Sequence, residues 1–139
     1  KASEAFYAQG GKFVSRDTSA GYFDLSIAAD TQIIGWAIVP SAYAGAKYSA
    51  SGVYTVDASI AEYVDIVVDI NARFLMACTG TPLVSYVSET CDIEISSSVQ
   101  KANEDASSTD VLVIYDFNAT LSLVEVGLNP AKMYTLGVA

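Results

Sequence analysis

The chain has 139 residues, of which 52% are hydrophobic, 11% aromatic and only 17% charged, with a formal net charge of −9. That balance excludes intrinsic disorder, and the acidity argues against a nucleic-acid partner, which needs clustered Lys and Arg. Histidine is absent, which removes Ser-His-Asp and Cys-His nucleophile systems and the His-containing zinc and iron sites.

Residues 1–12 lack the apolar run of a signal peptide and read as an N-terminal arm, with Gly10-Gly11 as a flexible joint. No apolar stretch approaches the roughly 18 to 20 residues of a membrane-spanning helix, so no membrane partner is expected. Gly21-Tyr-Phe-Asp-Leu-Ser-Ile27 alternates and predicts a strand with Phe23, Leu25 and Ile27 on one side. Gln32-Ile-Ile-Gly-Trp-Ala-Ile-Val39 is a dense apolar strand that Pro40 ends, and Trp36 within it reads as core. Pro40–Ser51 is a run of small residues and Tyr that reads as a loop ordering on contact.

Gly52–Val56 predicts a short strand, and Tyr63-Val-Asp-Ile-Val-Val-Asp-Ile70 the clearest one. There Val64, Ile66, Val68 and Ile70 share one face, while Asp65 and Asp69 point to water. Asn71-Ala72 stands at hairpin spacing before a strand over Arg73–Cys78, and Pro82 can start a helical turn. Further strands are predicted at Cys91–Ile95, Val111–Tyr115 and Leu121–Leu128, with polar loops at Ser96–Ser98 and Asn103–Asp110 and a short excursion at Asp116–Thr120. The sum is a single all-β domain over residues 1–139, a small barrel or sandwich of about eight mostly antiparallel strands. The arm 1–12 and a tail 130–139 extend from it.

Chemistry-bearing groups are few. Asp65 with Asp69, or Asp92 with Glu94, share a strand face, an arrangement that serves solubility more often than acid–base catalysis. The acids of 103–110 lack the order of a calcium loop, and Asn118-Ala-Thr120 matches a glycosylation sequon with no secretion signal beside it. Cys78 and Cys91 read as small buried thiols, with a disulfide as the alternative. No catalytic, metal or cofactor site is expected, and the chain reads as a structural or binding protein rather than an enzyme. Tyr is the surplus residue, with nine copies. Phe6, Tyr7, Tyr43, Tyr48 and Tyr134 fall in arms and loops, where aromatic side chains provide interface contacts.

Phe74-Leu-Met-Ala77, the Gly80-Thr-Pro82 turn, Val87-Ser-Glu-Thr-Cys-Asp-Ile93, Ser96-Ser-Ser-Val-Gln100, Ser107-Ser-Thr-Asp-Val-Leu-Val113 and Val124-Glu-Val-Gly-Leu-Asn-Pro130 together form a pattern. Over about residues 74–130 it resembles the capsid decoration (cement) proteins of tailed phages, although Ser88 stands where that family more usually has Gly. The resemblance implies a β-rich virion protein without catalytic residues, assembled in the host cytoplasm and bound to the outer surface of the major capsid protein. It also implies self-association as a trimer or local cluster. The alternative is a β-sandwich module that binds carbohydrate or a surface polymer through Tyr side chains.

Overall fold

A computed structural model describes residues 1, 3–7, 10–17, 21–39, 52–56, 63–104 and 109–134. The fold is all-β and mostly antiparallel, with strands β1 (Ala5–Tyr7), β2 (Phe13–Arg16), β3 (Phe23–Leu25), β4 (Gly35–Ile38), β5 (Val53–Thr55) and β6 (Asp65–Val67) in the first half. The second half holds β7 (Phe74–Ala77), β8 (Thr90–Ser96), β9 (Val99–Asn103), β10 (Leu112–Asn118) and β11 (Leu123–Leu128). The strands beyond the expected eight are β1, β2 and β9, the first of which lies within the expected N-terminal arm.

The second half forms one sheet in the order β7-β11-β10-β8-β9. A parallel bridge between Cys78 and Ala102, with Thr79 N donating to Ala102 O at 2.8 Å, brings its two edges together into a nearly closed barrel. Met76, Cys78, Cys91, Ile93, Ala102, Leu112, Ile114, Val124, Val126 and Leu128 fill it. Both cysteines are free and buried, so the thiol reading holds and the disulfide does not form. Burial pushes the Cys91 thiol well above its ordinary range, which leaves it a small core hydrophobe.

The first half forms a four-stranded sheet, β3-β2-β4-β6, and a two-stranded ribbon, β1-β5. The four-stranded sheet is the middle of three layers. Successive side chains on a strand point to opposite faces, so Phe13 enters the barrel-side core while Val14 enters the core under the ribbon. Trp36 and Ala37 divide in the same way, as do Ile33 and Ile34. A sheet covered on both faces needs apolar residues without alternation, which is why Gln32–Val39 is a continuous apolar run. Trp36 stacks on Phe74 at 4.7 Å and 7°, and Phe13 meets its edge at 4.9 Å.

Gln100 ties the middle sheet to the barrel. It is 1% exposed; its Nε2 donates to Phe13 O (3.0 Å) and Ser26 O (2.9 Å), and its Oε1 accepts from Phe13 N (2.9 Å). Gly11 N donates to Gln100 O at 2.9 Å. A Cβ on Gly11 would sit 2.5 Å from Gln100 Oε1 and 2.6 Å from Met76 Cε. Gly10-Gly11 is therefore a close approach rather than a flexible joint.

Several expectations change. The strand at Tyr63–Ile70 contracts to Asp65–Val67 at the edge of the middle sheet, and Val64, Val68 and Ile70 remain exposed. Asn71-Ala72 joins no hairpin, because β6 and β7 belong to different sheets. Phe23 and Ile27 stay partly exposed and Ser26 is buried, since the Ser26 hydroxyl bonds to that of Ser15 and its carbonyl accepts Gln100. Polar satisfaction outweighs alternation here.

Ser97-Ser98 is a hairpin turn into β9, a strand that its mixed polar sequence concealed. Both serines have positive φ, 51° and 64°, as a type I′ turn requires. Asp116–Asn118 continues β10 past a bulge after Ile114, so there is no excursion before Asn118. The helical turn near Pro82 falls at Val84–Tyr86.

The described parts of both terminal segments pack on the domain. β1 pairs with β5, setting Phe6 opposite Tyr54. At the other end Met133 bridges in parallel to Ile33, and Tyr134 N donates to Ile33 O at 2.8 Å. The Pro40–Ser51 loop lies outside the described residues, apart from its neighbours Val39 and Gly52.

Candidate functional site

The ribbon, the middle sheet and the segment entering β6 enclose a cleft of about 440 Å³. Its floor is Phe6, Val14, Tyr54 and Val56, all buried members of the core under the ribbon. Its rim is Tyr22 (47% exposed), Phe23 (37%), Val64 (37%) and Tyr63, which projects fully into solvent at 105%. The cleft continues a hydrophobic core outward, with five aromatic side chains on its floor and rim. Its volume falls in the range of pockets that accept a small ligand or a partner's side chain.

Charge at the cleft is local and paired. Lys1 Nζ lies 3.0 Å from Asp17 and 3.2 Å from Asp24, and these partners raise its pKa. The half-buried Glu4 carboxyl is pushed up by burial, and further by Asp24, against a backbone hydrogen bond from Leu25 that lowers it. Beyond the cleft, burial lowers the Lys12 ammonium, which donates to Gly10 O at 3.1 Å and sits 5.6 Å above the Trp36 ring. Among the described residues no group of three or more His, Cys, Asp or Glu is placed to hold a metal ion. No helix among them is long and apolar enough to cross a membrane.

The expected interface residues scatter. Phe6 is a core residue, 6% exposed, because β1 folds back onto β5 instead of reaching outward. It reaches the site only as floor. Tyr7 is half-buried opposite Val53, on the same ribbon. Tyr134 packs on the core under the ribbon without lining the cleft, its hydroxyl accepting from Arg16 at 3.1 Å with the guanidinium 5.7 Å from its ring. Tyr43 and Tyr48 lie outside the described residues.

The aromatic residues that do converge are Tyr22, Phe23, Tyr54 and Tyr63. Of these only Tyr63 carried a usable signal, since it shares the solvent face with Asp65 and Asp69. Alternation sets Phe23 on one side of its strand with Leu25 and Ile27 without telling that side from the solvent face. Convergence of Tyr22 on Tyr63 is a long-range fact that no local pattern encodes.

No protein-family model, curated protein or solved structure matches the chain.

Proposed function

We propose that this chain is a structural virion protein that binds the outer surface of the major capsid shell and stabilises the phage head, self-associating there as a trimer or local cluster. The observation that carries the reading is the exposed aromatic rim, Tyr22, Phe23 and Tyr63 with Val64, set on a floor that is part of the core. Aromatic side chains held by a rigid scaffold give large contact area at little entropic cost, which is what a protein interface selects. The resemblance of residues 74–130 to phage decoration proteins and the acidic surface support the same reading. Its test is the composition of gradient-purified virions by mass spectrometry, together with binding of the purified chain to undecorated heads. Co-sedimentation with heads and a higher temperature of head rupture are expected. A chain absent from virions and unbound to heads refutes the reading.

The alternative, a module for carbohydrate or a surface polymer, draws on the same cleft, because sugar rings stack on exposed Tyr. Glycan-array binding that is lost in Tyr63→Ala would favour it, and an array without hits removes it.

A further inference from the structure

We infer that β6 is a self-association edge, at which a second copy of this chain pairs antiparallel about a two-fold axis through Ile66. The edge shares Tyr63 and Val64 with the cleft rim, whereas Val68 lies outside it. The middle sheet ends on β3 at one side and on β6 at the other. On the β3 side, the Glu4 carboxylate accepts a backbone hydrogen bond from Leu25. On the β6 side nothing pairs among the described residues.

Backbone direction follows from the ladder. Ala37 N donates to Lys12 O at 2.8 Å, so the peptide groups of Ala37 face β2. Its neighbours Trp36 and Ile38 therefore face β6, against Val67 and Asp65. Ile66, opposite Ala37, turns its N–H and C=O to the open edge.

Charge selects the partner and the register. A two-fold through Ile66 sets Ile66 against its own copy and Val64 against Val68, an apolar stripe that includes two exposed valines, 37% and 50%. On the other face it sets Asp65 against Val67, and Asp69 against the hydroxyl-bearing Tyr63. Every carboxylate then meets a neutral side chain. Centring the pair on Asp65 opposes that acid to its own copy, and centring it on Val67 opposes Asp65 to Asp69. Like charges directly opposite are destabilising, which disfavours both of these neighbouring registers. Val64 and Val68 stand equally far from Ile66 and so meet each other twice in an isologous contact, in which one surface meets itself. The two copies would exchange both Ile66 hydrogen bonds and join their middle sheets, as in strand addition.

The test is sedimentation equilibrium of the full chain over a concentration series, with amide hydrogen exchange at Ile66. A monomer–dimer equilibrium is expected, with Ile66 protection rising with concentration. Val64→Lys with Val68→Lys puts ammonium groups opposite each other twice and weakens the dimer roughly tenfold or more. Val64→Lys with Val68→Glu puts opposite charges there and returns the affinity to within about threefold of the starting protein. A chain that stays monomeric, or forms a trimer, overturns the inference. So does unchanged Ile66 protection, or a Lys/Glu pair no tighter than the Lys/Lys pair. Circular dichroism shows that each variant folds, and head binding of Val68→Lys, which leaves the cleft rim unchanged, keeps the two hypotheses apart.

Discussion

Replacing Gln100 by Leu removes the side-chain hydrogen bonds by which this residue ties the two halves while keeping the volume similar. Gln100 is 1% exposed and makes three side-chain hydrogen bonds, two with Phe13 and one to Ser26. Phe13 O keeps a second partner, since Ser26 N donates to it at 2.9 Å. Phe13 N loses the acceptor that satisfied it. An orphaned buried donor costs about 1–3 kcal/mol, and each of the two lost bonds to carbonyls about 1 kcal/mol. Gln100→Leu is therefore expected to lose about 3–5 kcal/mol, a large share of the 5–15 kcal/mol typical of a domain. Urea unfolding followed by Trp36 fluorescence reads the loss as a lower midpoint at unchanged slope. Trp36 suits this because it is the only Trp and stacks within the affected core. Gln100→Glu keeps an acceptor for Phe13 N but buries a charge and removes both donated bonds, so it should be no more stable than Gln100→Leu. A Gln100→Leu protein within about 1 kcal/mol of the parent refutes the tie.

Four further outcomes are expected. Gly11→Ala drives a methyl to 2.5 Å from Gln100 Oε1 and should cost about 1–3 kcal/mol. In a double-mutant cycle with Gln100→Ala that cost should shrink, because the truncated side chain leaves room. Ser88 holds φ +76°, so Ser88→Gly should raise the urea midpoint by the equivalent of about 0.5–1 kcal/mol. Burial raises the Glu4 carboxyl above its unfolded value, so the folded chain binds that proton more tightly than the unfolded one. Its penalty is full above the folded pKa and disappears below the unfolded value. Glu4→Gln should thus stabilise at neutral pH, and the advantage should vanish on acidification through the carboxylate range, as urea midpoints across pH would show. Tyr63→Ala, at a fully exposed position, should leave the urea midpoint within about 0.5 kcal/mol of the parent while lowering affinity for undecorated heads.

The sequence determined the class of fold, because period-two patterning and β-branched content are local properties that hold in any tertiary context. It also placed Trp36 inside, in a dense apolar run, and Cys78 and Cys91, because Cys is among the residue types most often buried. The ends of strands were less legible. Tyr63–Ile70 carries the cleanest alternation in the chain, yet only Asp65–Val67 finds a partner, since pairing requires β4 opposite and β4 is four residues long. Val99–Asn103 carries little pattern and still becomes β9, because a two-residue turn delivers it to β8. Phe6 illustrates the limit at the site: an aromatic residue near a terminus looks like a contact element until β1 is seen to fold onto β5.

What only the tertiary structure decided is which residues meet across long separations. The Gln100–Phe13 tie spans 87 residues, and the cleft joins Phe6, Tyr22, Tyr54 and Tyr63 from four separate segments. The physical reason is that a strand's sequence specifies which of its faces is apolar but not which sheet that face covers. That choice belongs to the packing of layers, and here the layering turns an acidic β domain into one with an aromatic cleft.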